Sequence, residues 1–196
     1  MCHKAQFLLS ALSAAQFPRA ETPEIAFLGR SNVGKSSLLN ALVGVKAARV
    51  SNTPGRTRAI NFFLVSEERH AREMIFADLP GYGYAKVSKS ISAEWPAFIE
   101  PYLAERATLA LCICLVDSNV PPRPNDRQLL DWLRAVGREF VVVATKIDRM
   151  SGNERTRNLA TLKRALDVEE ILPVSAKTGY GLKELRARIE EAGTRE

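Results

Sequence analysis

Gly29, Gly34, Lys35 and Ser36 stand in "GRSNVGKS", the spacing G-x-x-x-x-G-K-S. At average residue frequencies such a match arises in roughly one chain in a hundred of this length. It follows the apolar run "EIAFL" and opens a stretch with Leu38, Leu39 and Leu42 at helical spacing, the strand-to-helix context the motif requires. The glycines let the backbone wrap a polyphosphate. Successive N–H groups of Arg30, Ser31, Asn32, Val33 and Gly34, with the helix N-terminus behind them, supply positive potential. Lys35 reaches the β and γ phosphates, and the Ser36 hydroxyl is placed to meet Mg²⁺.

Three further stretches choose among nucleotides. "DLPG" (Asp78, Leu79, Pro80, Gly81) leaves the apolar run "EMIFA"; its carboxylate can hold a Mg²⁺ shell and the Gly81 N–H can meet a γ phosphate. "TKID" (Thr145, Lys146, Ile147, Asp148) ends another apolar run. A carboxylate at Asp148 accepts both the ring N–H and the exocyclic amine of guanine, a donor pair adenine lacks, and Lys146 can lay its alkyl stem over the base. A site left unpaired by the wrong base rejects it by a large factor, ~10⁴. "VSAK" offers Val174, Ser175 and Ala176, with the Ala176 N–H toward the guanine oxygen.

These loops need strands to end on. Short apolar runs at 24–29, 59–65, 73–78, 109–117, 140–146 and 170–175 alternate with helical spacings, which predicts an α/β fold with right-handed crossovers and a mostly parallel sheet. Several runs are apolar throughout, as expected of strands covered on both faces. The second has only a short connection to the third and is expected to be an antiparallel edge strand. Asn125 with Gln128 resembles a capping box, and Gly137 suits the stop after "LLDWLRAV". Pro96 and Pro101 predict a kink or two short helices. Residues 1–23 are expected to form an extension whose helix packs Phe7, Leu8, Leu12 and Ala15 on the domain, which occupies 24–196. The stretch only crudely imitates a secretory signal, because its apolar run is short.

The chain has 196 residues, 46% hydrophobic and 26% charged, the size and composition of one globular domain with a full core. Its formal charge of +6 is spread along the sequence, as on a solvated surface, with a polyanionic partner as the second reading. Cys112 and Cys114 would face one side of a buried strand and, with Cys2, read as thiols in a reducing cytosol. No segment approaches the roughly 20 apolar residues that span a bilayer.

The order "GRSNVGKSS", "NTPGRTR", "DLPGYGYA", "TKID", "VSAKTGYG" closely resembles the EngB family of TRAFAC-class bacterial GTPases, from Glu24 onward. The resemblance implies a three-layer, Ras-like P-loop GTPase with a six-stranded, mostly parallel sheet and one antiparallel edge strand. It implies that Thr57 completes Mg²⁺ coordination beside Ser36, and that Gly55, Arg56, Thr57, Arg58 and Ala59 close over the nucleotide. Lys35, Thr57 and Gly81 are then the catalytic set. It implies GTP and GDP as ligands, a precursor of the large ribosomal subunit (rRNA and ribosomal proteins) as partner, and a need for the protein in cell division and septation. A cytoplasmic monomer without stable membrane association is expected. Asn32 stands where similar potassium-stimulated GTPases hold K⁺, which adds K⁺ as a candidate ion. Thr145 replaces the asparagine of many relatives and makes fewer tethering bonds, so modest guanine affinity is expected.

In Ras-like enzymes a glutamine after the DxxG glycine orients the attacking water. Here Tyr82 follows Gly81, so intrinsic hydrolysis is expected to be slow. Tyr82 is expected to pack as an aromatic against the switch and, with Tyr84, Lys86 and Lys89, to form a surface reporting nucleotide state. Two other classes compete: a metabolic P-loop kinase, which gains nothing from the guanine-reading pair, and a nucleotide-stabilised RNA-binding or scaffold protein without significant hydrolysis.

Overall fold

The computed structural model describes residues 3–44, 59–67, 72–82 and 95–194. Seven strands form one sheet in the order β1-β3-β4-β2-β5-β6-β7. They are β1 His3–Ala11, β2 Glu24–Gly29, β3 Ile60–Glu67, β4 Arg72–Asp78, β5 Leu109–Asp117, β6 Phe140–Thr145 and β7 Leu172–Pro173. The helices are α1 Lys35–Val43, α2 Ile99–Glu105, α3 Pro124–Ala135, α4 Gly152–Leu166 and α5 Leu182–Ala192. Among these strands only β3 runs against the rest. None of the described helices is long and apolar enough to cross a membrane.

Burial on both faces explains the apolar runs. Ala26 and Leu28 of β2 look toward α2, α3 and α4, whereas Ile25 and Phe27 look toward α1 and α5. Cys112 and Cys114 share the first of these faces, as expected. Both are buried free thiols, and burial pushes Cys112 up to about 12.

The count of seven strands, against the six expected, comes from the N-terminus. Residues 3–11 are a strand paired antiparallel with β3, not a helix. Their apolar spacing imitates a helix because a bulge between Phe7 and Leu9 interrupts the alternation. Ala5 packs on the α1–α5 face, where Phe7 meets the Phe63 ring at 5.7 Å; beyond the bulge, Leu9 and Ala11 belong to the opposite face. One inserted residue switches faces in this way. Backbone pairing to β3 then outweighs local helical propensity. The four residues expected to face the domain are exposed instead: Phe7, Leu8, Leu12 and Ala15.

Smaller departures follow from caps. Asp126, not Gln128, closes the first turn of α3 by accepting from the Arg123 N–H at 2.8 Å. Gly137 has φ +70° just past α3, as its role as a stop requires. The helix starting at Ile99 places Pro101 in its first turn, where no backbone donor is needed, so one short helix forms. The last strand is two residues long. At the other end of α2, Arg138 donates to the carbonyls of Leu103, Ala104 and Arg106, which a helix end leaves without partners, and to that of Leu109 at the start of β5.

Glu24 is fully buried at the base of β2. Its carboxylate accepts from Tyr102 Oη at 2.7 Å, Thr108 Oγ1 at 2.7 Å and Arg106 Nε at 2.8 Å. Phe17 lies under Arg106, ring centre to guanidinium 5.8 Å, and edge-on to Tyr102. This cluster joins the segment before β2 to α2 and β5. Removing one partner from a buried ion pair leaves the other uncompensated. Glu24→Ala is therefore expected to cost about 3 kcal/mol or more, read as a lower urea midpoint with an unchanged slope.

Candidate functional site

The predicted site residues that the structure describes gather at the C-terminal ends of β2, β4, β6 and β7. β2 ends at Gly29, where an added Cβ would lie 2.8 Å from Val33 Cγ1 and 3.1 Å from the Leu115 carbonyl. Only glycine allows the loop to fold back so closely. Val33 is buried and its N–H donates to the Arg30 carbonyl at 3.2 Å. Gly34 has φ +104° and turns the chain into α1, so Lys35 and Ser36 begin the helix with its N-terminal dipole directed at the loop.

Lys35 forms an ion pair with Asp78, the last residue of β4. The carboxylate therefore faces the phosphate loop and already accepts a cation there. A carboxylate with the nearby Ser36 hydroxyl is a hard oxygen donor set that fits Mg²⁺. Leu79 is buried, with its N–H on the Phe27 carbonyl at 3.2 Å, and the Pro80 carbonyl accepts from Trp95 Nε1 at 3.2 Å. Gly81 lies against the loop: an added Cβ would be 3.0 Å from Ser31 Oγ and 3.1 Å from its nitrogen.

Tyr82 is no surface residue. It is 2% exposed, its carbonyl accepts from the Ser31 N–H at 3.2 Å, and its ring meets Trp95 edge-on at 5.9 Å. The phenol donates to Asp126 Oδ1 at 3.1 Å, at the start of α3. Burial, with the Asp126 charge second, holds the phenol well above its usual range. Burial as a packed aromatic is as expected, with Trp95 and Asp126 as its side-chain neighbours; a solvent-facing reporter role for Tyr82 is not. Tyr84, Lys86 and Lys89 lie outside the described residues, as do Gly55, Arg56, Thr57 and Arg58. Ala59 is buried just before β3.

The base-reading half is more fully formed. Thr145 is buried, and its hydroxyl donates to the Val33 carbonyl at 2.6 Å. The loss of an amide at this position thus leaves a direct tie to the phosphate loop intact. Lys146 has φ +60° and its ammonium donates to the neighbouring Asn32 carbonyl at 2.7 Å. Ile147 is buried, which turns Asp148 outward. Ser175 Oγ donates to Asp148 Oδ1 at 2.6 Å and itself accepts from the N–H groups of Lys177 and Thr178. That bond holds the Asp148 carboxyl below its usual range. A cavity of about 320 Å³ opens between Gly34, Thr145, Lys146, Asp148, Val174 and Ala176. Its walls include Lys146, Asp148 and Ala176, the residues expected to read guanine, together with Ser37, Leu38, Arg149 and Lys177. Gly181 keeps "VSAK" in place: at φ +71°, an added Cβ would lie 2.1 Å from the Pro173 carbonyl.

Sequence reading assigned no role to Asp126 or to the turn at 117–119, which contacts Thr145 and Lys146 of the base-reading loop. The one available signal was an acidic residue, Asp117, ending an apolar strand in the manner of Asp78.

Ser175→Ala removes the donor to Asp148. A neutral-to-charged hydrogen bond is worth roughly 1.5 kcal/mol, so GDP affinity is expected to fall about tenfold. The guanine-reading role expected of Asp148 requires its ionised form. With its pKa no longer depressed, the loss of binding on acidification is expected to begin at higher pH in the variant. Calorimetric titration with GDP across pH checks both.

Residues 24–146 match the family described as 50S ribosome-binding GTPase. A probable GTP-binding protein EngB of Acidobacterium capsulatum is 64% identical, covering 94% of this chain and 88% of that protein. One of Koribacter versatilis is 61% identical over 96% of this chain and 94% of its own. Among solved structures, a probable GTP-binding protein EngB superposes with a TM-score of 0.68 at 25% identity, over 86% of this chain and 97% of that one. Aquifex aeolicus Era bound to GDP·AlF₄⁻ gives a TM-score of 0.70 at 26% identity, over 88% of this chain and 57% of that one. A phosphate loop tied to the loop that lines this cavity and this near-full-length identity lead to one conclusion: the chain belongs to the EngB family of GTP-binding proteins.

Proposed function

We propose that the chain hydrolyses GTP slowly and acts in the cytoplasm, as a monomer without stable membrane association, as a switch in assembly of the large ribosomal subunit, on which normal cell division and septation depend. The matching family's description, 50S ribosome-binding GTPase, supports the choice of partner. The observation that carries slow hydrolysis is Tyr82: directly after Gly81, its hydroxyl is committed to Asp126 in the core. It therefore cannot orient an attacking water as a glutamine would.

On this reading Lys35 leaves Asp78 to meet the β and γ phosphates, while the loop N–H groups from Arg30 to Ser36 cradle the rest. Ser36 and Thr57 would hold Mg²⁺, with Asp78 in its outer shell; the ion supplies charge neutralisation at the phosphates. The Gly81 N–H meets the γ phosphate, and Gly55 to Ala59 close over the nucleotide. Asp148, Lys146 and Ala176 read guanine. Ordering of Thr57 and the Gly81 loop marks the GTP state that binds the ribosomal precursor. Gly81 is already in van der Waals range of Ser31, so any shift that γ phosphate imposes passes to the phosphate loop.

Purified protein is expected to sediment with large-subunit precursor particles in GTP and not in GDP. Equal retention in the two would refute the switch. Without particles, turnover is expected well below about 1 s⁻¹, and a faster rate would show that the site needs no completing partner. Asn32 is exposed in the phosphate loop, where a K⁺ beside its side chain would add charge near the phosphates as an arginine finger does. Replacing KCl by NaCl is expected to lower the rate; equal rates with and without particles would remove K⁺ from the mechanism.

A further inference from the structure

Lys146 is held by more than its own loop. Its ammonium donates to the Asn32 carbonyl and to Asp117 Oδ2, both at 2.7 Å. Asp117 is the last residue of β5 and lies in register with Thr145 of β6, so the sheet places its carboxylate beside the base-reading loop. Asp117 Oδ1 accepts from the Asn119 N–H at 3.0 Å and from Asn119 Nδ2 at 3.2 Å, which fixes the rotation of the carboxylate.

The rest of the turn grips the loop backbone. Asn119 Nδ2 also reaches the Lys146 carbonyl at 3.2 Å. Ser118 gives the Thr145 carbonyl both its N–H, at 3.2 Å, and its hydroxyl, at 2.6 Å. Asn158 of α4 in turn donates to the Ser118 carbonyl at 3.0 Å. Burial works against the Asp117 charge, but bonds from Lys146 and Asn119 outweigh it and hold its pKa below the usual range.

Lys146 is also a wall between two cavities. It lines the one of about 320 Å³ with Gly34 and Asp148, and a second of about 270 Å³ with Asn32, Asp117, Pro121 and Arg123. Its ammonium is where the phosphate loop, the base loop and the β5 turn meet. Asn32 sits at φ +62°, a left-handed conformation that asparagine adopts more readily than most residues.

We infer that the turn Asp117–Ser118–Asn119 is the positioning element that sets how long a guanine nucleotide stays bound, with Asp117 holding the Lys146 ammonium against Asn32 so that stem and phosphate loop keep their places together. This rests on guanine-nucleotide binding at the site and not on any role at the ribosome. Nucleotide entry depends on diffusion and overall charge, whereas escape requires these local ties to open. Loosening the tie therefore acts on release. Asp148, which reads the exocyclic amine, is positioned separately by Ser175.

The test is stopped-flow release of fluorescently labelled GDP and of labelled IDP, whose base lacks that amine, from the full-length protein. Asp117→Ala is expected to speed GDP release roughly tenfold, the loss of one charged hydrogen bond, with the association rate constant within about twofold of the parent's. IDP release should rise by the same factor, because Asp148 is undisturbed. Asn119→Ala, at an exposed position, is expected to give a smaller rise in the same direction, and it carries the test if Asp117→Ala does not fold. Unchanged release in a folded variant overturns the inference. So does a GDP advantage over IDP that collapses, which would mean the whole base loop has moved. If the parent protein binds neither nucleotide, the guanine-binding reading fails with it; if the parent binds and the variants match it, only the inference fails.

Discussion

Two successive carbonyls of the phosphate loop, Asn32 and Val33, are each held by a side chain from the end of β6. The loop must present its N–H groups inward to an anion, which turns these carbonyls away from the ligand and toward the sheet. A carbonyl turned from the ligand still needs a donor, and Thr145 and Lys146 supply one each. The phosphate loop and the loop after β6 are thereby parts that cannot shift independently.

That tie explains why the arrangement works with threonine at 145. A hydroxyl has one proton to give, and here it goes to Val33 at 2.6 Å. The duties an amide would add are met elsewhere: Ser118 holds the Thr145 carbonyl and Asn119 the Lys146 carbonyl. Asp148 has its own support from Ser175. The opposite side is built differently. Lys35 and Asp78 neutralise each other, so the attraction for phosphate there is stored in an ion pair that the ligand must exchange for its own contacts.

What could be read from the chain was local. "GRSNVGKS", "DLPG", "TKID" and "VSAK" each lie at or just beyond the end of a strand, and the β2 and β5 boundaries match the apolar runs. What could not be read depended on distant partners. The Tyr82–Asp126 bond spans 44 positions and the Asp117–Lys146 pair 29. Nothing in "DLPGYGYA" announces a tyrosine turned inward, because its partner caps a helix whose own start shifted from Asn125 to Arg123 and Pro124. The N-terminal strand was hidden for the same reason: β3, some fifty residues away, decides its state.

The bulge at Leu8 has a use beyond turning Leu9 and Ala11 toward the core. β1 is the outermost strand on its side of the sheet, and it displays Phe7 at 52% and Leu8 at 37% exposure. A flat strand with such side chains would invite another extended chain to join the sheet. The inserted residue breaks the even spacing of the outward N–H and C=O groups midway along that edge. An incoming strand could match the first half or the second but not both, which works against the sheet growing into a neighbour.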